Sequence, residues 1–208
     1  MALFDITCPL NASTAVWPGD RTYQAEWTAR INREEGSGSA VNIGAVSMGT
    51  HTGTHADAPL HFDADGCSVD HLDLLPFIGP ATVIEHSEKT PIRPRHVDLG
   101  AVAPRILFKT HCSNYGSSEW CQDLCPFTEK AIDAFGACGI KLIGTDAPSV
   151  DPVDSKKLSA HHACQRNGIA ILEGLDLRLV AAGTYELIAL PLMLGGLDAS
   201  PVRAILRK

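Results

Sequence analysis

The sequence has no hydrophobic run of membrane-spanning length. Its longest apolar stretches, such as residues 188–194, fall far short of the roughly 20 residues a helix needs to cross a bilayer. It also has no cluster of lysines and arginines, and its formal net charge is −7. An acidic chain of this kind is a poor partner for nucleic acid or an anionic membrane. Residues 1–5 show no basic patch leading into an apolar stretch, so no secretory signal is expected. Repeats and low-complexity tracts are missing too. What is present, 45% hydrophobic and 20% charged residues, is the composition of a soluble globular protein. A length of 208 residues suits a single domain over residues 1–208 with a sizeable core. A small-molecule ligand is the natural expectation.

Seven cysteines without a signal segment suggest a reducing compartment, the cytoplasm, and free thiols. Cys121 and Cys125 form the one close pair, and they lack the second pair that a structural zinc site needs. Thiols of no special role are expected.

Glycine and proline, 18 and 13 in number, punctuate the chain. Turn signals stand at Trp17-Pro18-Gly19-Asp20 and Gly79-Pro80, and Gly36-Ser37-Gly38-Ser39 reads as a loop. Short β-branched or aromatic runs predict strands at 23–28, 41–48, 81–85, 106–109, 141–144, 169–172 and 185–190. One helix is predicted over 128–138, capped by Thr128 and closed by Gly139. A second should start from Asp154 or Ser155, run through Gln165, and stop at Asn167-Gly168. The fold class is therefore mixed α and β, with a curved or barrel-like sheet and helices packed outside.

The chemistry gathers in His51-Thr-Gly-Thr-His55-Ala-Asp57-Ala-Pro-Leu-His61. Gly53, Pro59 and two threonines disfavour a helix there. In an extended chain side chains alternate, so the odd-numbered His51, His55, Asp57 and His61 would share one face. At about 3.3 Å per residue, His51 and His55 would lie roughly 13 Å apart on a straight strand. That gap is too wide for one metal, whose bonds to nitrogen are about 2.0–2.1 Å. A bend is required, and Gly53 is placed to supply it. A lone histidine would read as a solvated polar residue, but four such groups on one face point to a metal. Further ligands must come from later in the chain, where His161, His162 and Glu173 are the candidates. Local pattern leaves the choice between the two histidines open. Trp17 reads either as a packing residue under its turn or as a stacking surface for a ligand. Asp146, after the strand at 141–144, is a candidate to orient a ligand.

The string from His51 to Phe62 resembles the HxGTHxDxPxHF signature of the cyclase-like metal-dependent hydrolases. The resemblance runs nearly end to end, through residues 16–20, 144–152, 171–175, 185–191 and 198–203. Within the superfamily it is similar to the bacterial arylformamidases, or kynurenine formamidases. The resemblance implies a cyclase-like fold and a homodimer. It also implies hydrolysis of N-formyl-L-kynurenine to L-kynurenine and formate by a metal-activated water. Two divalent ions are implied, zinc before manganese. His51, His55 and Asp57 would bind the first, with Asp57 reaching the second. A histidine twelve residues before the late glutamate would bind the second ion, which selects His161, and Glu173 would bridge both. His61 would exchange protons outside the metal shell, and Trp17 would lie against the substrate. Chemistry agrees with these roles: three histidines and two carboxylates suit zinc. An aryl amine departs poorly as an anion, so a histidine acid is called for. The alternative activity is opening of an isatin-type cyclic amide, and the non-enzymatic alternative is a metal-binding module.

Overall fold

A computed structural model of the chain describes residues 2–31 and 39–208. In chain order its strands are β1 (Leu3–Asp5), β2 (Gln24–Ala29), β3 (Ile43–Ser47), β4 (His55–Asp57), β5 (Ile78–Glu85) and β6 (Arg105–Lys109), then β7 (Leu142–Thr145), β8 (Ala170–Glu173), β9 (Gly183–Ile188), β10 (Ala199–Pro201) and β11 (Ile205–Arg207). The α-helices are α1 (Glu129–Ala137) and α2 (Ser159–Asn167). Side chains on a strand alternate faces, and this alternation sorts the central strands into two cores. Ile106, Phe108, Ile143 and Ile171 join Ile132 and Phe135 of α1 and Ala160, Ala163 and Cys164 of α2. Leu107, Leu142 and Leu172 point the other way, onto Phe77, Tyr185, Leu187 and Leu206. Burial on both faces explains why these runs are almost wholly apolar.

Nine strands form one curled sheet in the order β1-β11-β9-β5-β6-β7-β8-β4-β10. β5, β6, β7 and β8 pair in parallel, and the flanking strands pair antiparallel. β2 and β3 make a separate antiparallel ribbon. The mixed α and β architecture with a curved sheet and outer helices is the one expected. All seven predicted strands are present with shifted ends, while β1, β4, β10 and β11, three residues each, are too short to show a periodic pattern.

Several local expectations need correction. Gly79-Pro80 is no turn: both residues lie inside β5, paired with Leu187 and Glu186. α1 is capped by Thr128, which accepts from the Ala131 N–H. α2, however, starts at Ser159, later than expected, because its first turn is capped from outside. Asp151 accepts from the N–H groups of Ala160 and His161, while Leu158 takes a left-handed conformation at φ 44°. Residues 36–38 of the Gly-Ser loop lie outside the described residues. The cysteines are not all free thiols, since Cys112 and Cys121 are joined by a disulfide. The loop between them folds back on itself, which spacing alone does not reveal. Among the described residues, no helix is long and apolar enough to cross a membrane.

Candidate metal centre

The sheet assembles the site by register. β4 lies between β8 and β10, with His55 directly opposite Glu173 and Asp57 opposite Ala199. His51 precedes the strand in a turn, where Gly53 takes φ +69° and supplies the required bend. The His51 and His55 rings are 4.8 Å apart, centre to centre. Only residues 55–57 are extended, and Pro59–His61 is a short 3₁₀ turn. The shared face thus comes from two turns flanking a three-residue strand, not from one long strand. Gly174 closes the other side at φ +64°, where a Cβ would stand 2.4 Å from the Gly53 carbonyl oxygen.

His161, at the third position of α2, is buried, whereas His162 is exposed beside Phe62. His161 Nε2 lies 3.3 Å from Asp57 Oδ2 and 3.6 Å from Glu173 Oε1. His55 Nε2 lies 3.4 Å from Asp57 Oδ1 and 3.3 Å from Glu173 Oε2. His51 Nδ1 stands 3.1 Å from Asp57 Oδ1. These approaches are close but poorly aligned as hydrogen bonds. His55 Nε2, His161 Nε2 and both Asp57 oxygens are buried without a hydrogen-bond partner. Orphaned buried polar atoms are costly, and atoms that converge without bonding one another are arranged as ligands to a common centre. The donor set fits a divalent ion. At this site two groups meet the spacing, His51–His55–Asp57 and Asp57–His161–Glu173, and a third joins His51, His61 and Asp198; the remaining group among the described residues is His111, Cys112 and Cys121.

Each ligand-type histidine has its second nitrogen engaged. His55 Nδ1 is 2.9 Å from the Gly53 carbonyl oxygen, His161 Nδ1 is 2.7 Å from Asp151 Oδ2, and His51 Nε2 is 3.0 Å from Asp198 Oδ2. Such contacts fix ring orientation and leave the other nitrogen facing the centre. Sequence reasoning missed Asp151 and Asp198 as positioning residues. Asp198 is 147 residues from His51, and no local pattern links them. Asp146 holds a different place from the one expected. It accepts from the backbone and hydroxyl groups of Thr110 and Ser113. Burial pushes its carboxyl pKa up despite those bonds.

Without metal, burial works against charge on the three histidines, but the surrounding carboxylates outweigh it. His51 is held up to about 9, and His55 and His161 up to about 10. His61 is different: burial lowers its pKa, so it is neutral near pH 7. Its Nδ1 is 3.4 Å from Asp198 Oδ2, and its ring is 4.1 Å from that of His51. These groups open into a cavity of about 270 Å³ whose wall includes Trp17, Tyr115 and Trp120.

Asp151→Asn should weaken metal binding by about 10–100-fold, the usual cost of losing a partner behind a ligand histidine. Zinc titration against a competing chelator measures this. Unchanged affinity would show that Asp151 serves only to cap α2.

The chain belongs to the Cyclase family ("Putative cyclase"), whose model matches residues 4–152. The kynurenine formamidase of Salinibacter ruber (strain DSM 13855 / M31) is 50% identical over 210 residues, covering 100% of this chain and 98% of that protein. A predicted metal-dependent hydrolase from Bacillus stearothermophilus has a solved structure with a TM-score of 0.80 and 26% identity, covering 99% of this chain and 97% of that one. Isatin hydrolase A from Labrenzia aggregata, bound to benzyl benzoate, also has a TM-score of 0.80 at 25% identity, covering 99% and 93%.

Proposed function

We propose that this protein is a metal-dependent arylformamidase that hydrolyses N-formyl-L-kynurenine to L-kynurenine and formate in tryptophan degradation. One observation carries the hydrolytic reading: the orphaned atoms of His55, Asp57 and His161 converge beside Glu173 at the base of a cavity. The full-length likeness to the Salinibacter formamidase supports the substrate. Asp57 and Glu173 each turn one oxygen toward His55 and the other toward His161. That sharing supports two divalent ions: His51, His55 and Asp57 would hold the first, Asp57 and His161 the second, and Glu173 would reach both. Three imidazoles with two carboxylates favour zinc over manganese.

When bound, such ions lower the pKa of water toward neutrality and polarise the scissile carbonyl. The protein's own groups do the rest. His61, neutral near pH 7, accepts a proton from the attacking water and returns it to the departing aryl nitrogen. Asp198 reaches both His51 and His61 and fixes their rings relative to each other. Trp17 offers its indole to the aryl ring. A cytoplasmic location belongs to the same reading: five of the seven cysteines are free thiols, while the Cys112–Cys121 disulfide is the one bond that a reducing compartment disfavours.

The test is turnover by protein stripped of metal and reloaded with zinc. Formylkynurenine cleavage should vanish with the chelator and return with the metal. Faster opening of isatin than cleavage of formylkynurenine would overturn the substrate in favour of the cyclic amide.

Metal entry should also release protons. Ligand histidines must be neutral, yet in the metal-free protein His51, His55 and His161 stay protonated until pH rises to about 9–10. Affinity should therefore increase with pH through the neutral range and level off above those values. Calorimetry at pH 7 in buffers of different ionisation enthalpy would count the protons; a count of zero contradicts the coupling.

We read the protein as a homodimer. The β2–β3 ribbon and its ends expose Trp27, Ile31, Val41, Ile43 and Val46, each more than half accessible. Such a patch marks an interaction surface. The pair of substitutions Trp27→Glu and Val46→Glu should halve the mass seen by light scattering, to about that of one 22.2 kDa chain. A monomeric parent protein would dispose of the dimer.

A further inference from the structure

One segment contributes more of the cavity wall than any other stretch of ten residues. Residues 112–121 contribute Cys112, Ser113, Tyr115, Glu119, Trp120 and Cys121 to the lining. The segment is closed on itself by the Cys112–Cys121 disulfide, with Cα atoms 5.8 Å apart. It is also tied down along its length. Asp146 holds Ser113, and the Ala15 N–H donates to the Ser117 carbonyl at 2.8 Å. The Trp120 indole meets Trp17 edge to face, with ring centres 5.2 Å apart and planes at 89°. Trp120 Nε1 donates to Gln122 Oε1 at 3.1 Å, which fixes the ring further.

We propose that Trp120 is a specificity-determining residue for the aryl ring of the substrate and that the Cys112–Cys121 disulfide positions it. This rests on the arylformamidase reading and adds to it a residue and a device. Two perpendicular indoles present an edge and a face, the arrangement in which a flat ring gains contact beyond simple burial. A saturated side chain in the same place gains burial alone. The crosslink confines a ten-residue loop to few conformations, so little ordering cost falls on substrate binding. The bond forms when the two thiols give two electrons and two protons to a disulfide oxidant such as oxidised glutathione, which leaves as two thiols. A third thiol lies nearby: Cys125 Sγ is 3.4 Å from His111 Nδ1, and His111 Nε2 is 4.0 Å from Cys121 Sγ. Burial pushes the Cys125 thiol up to about 11, which keeps it protonated and out of exchange with the bond.

The test uses the full-length, zinc-loaded protein and Trp120→Ala, Trp120→Phe and the pair Cys112→Ser with Cys121→Ser. Two readouts are taken. One is the ratio of kcat/KM for formylkynurenine to that for N-butylformamide, an alkyl formamide. The other is calorimetric binding of kynurenine, which needs no turnover. Trp120→Ala should lower the ratio and weaken kynurenine binding about tenfold each, the scale of a lost aromatic pair, and Trp120→Phe should restore most of both. The paired serine variant, and the parent protein after phosphine reduction, should raise KM for the aryl substrate more than they change kcat. If Trp120→Ala does not fold, Trp120→Phe and the reduced parent protein still decide. Equal losses on aryl and alkyl substrates, or kynurenine binding indifferent to Trp120, overturn the proposal. A parent protein that binds kynurenine through Trp120 yet leaves formylkynurenine intact would instead refute the arylformamidase reading and leave the aryl site standing.

Discussion

Asp57→Asn should strip at least one divalent ion from the protein and remove most of its hydrolytic activity. Among the described residues, Asp57 is the only side chain whose two oxygens are each orphaned, one beside His51 and His55, the other beside His161. Burial alone would raise its pKa, but the three histidines hold it well below the usual carboxylate range, so it is a full negative charge at every working pH. An asparagine of the same shape carries no charge, offers one ligand oxygen in place of two, and turns an N–H donor toward nitrogens that are themselves donors when protonated. Neutralising that charge leaves the cluster short of the compensation that two divalent cations require. Metal content by mass spectrometry of the purified variant, with circular dichroism to confirm folding, separates loss of ligand from loss of structure. Two bound ions with full activity would end the idea that Asp57 serves both groups.

The parts of this site legible in the sequence are those packed into a few consecutive residues. His51, His55, Asp57 and His61 stand close enough in the chain that almost any compact path brings them together, and Gly53 marked where that path bends. The reason first given for their convergence, one extended strand, was too simple. The turn at 51–54 and the 3₁₀ turn at 59–61 do most of the work, and β4 has three residues. The central strands were visible because burial on both faces makes them uniformly apolar; the edge strands were not, because three residues hold no period. Asp151 and Asp198 escaped notice for a different reason. Asp198 bonds across the fold to His51 and Asp151 bonds the ring of His161 ten residues on, and an aspartate in a loop looks the same whether it faces water or an imidazole. The Cys112–Cys121 bond was hidden likewise, since a nine-residue spacing within a loop carries no signature. His161 and His162 show what structure adds to local pattern: adjacent on one helix, one is sealed in the cluster and the other is exposed.

His61→Ala should keep both ions and bind substrate nearly normally while kcat falls by roughly 10²–10⁴-fold, the worth of a positioned acid–base group. The structure makes this a real contest, because His61 shares a possible ligand geometry with His51 and Asp198. Its surroundings favour the proton role. It is the most exposed of the four clustered histidines, with its side chain 32% accessible against 18% for His51 and 2% for His55 and His161. Its pKa is lowered where theirs are raised, so it starts neutral and ready to accept. Leaving-group dependence separates the roles further. If His61 delivers the proton to the departing nitrogen, the deficit should shrink for formanilides whose rings carry electron-withdrawing groups, because weakly basic amines need less protonation to leave. A deficit of the same size across such a series would place His61 at activation of the water alone. Loss of an ion from the alanine variant, seen by metal analysis, would make His61 a ligand.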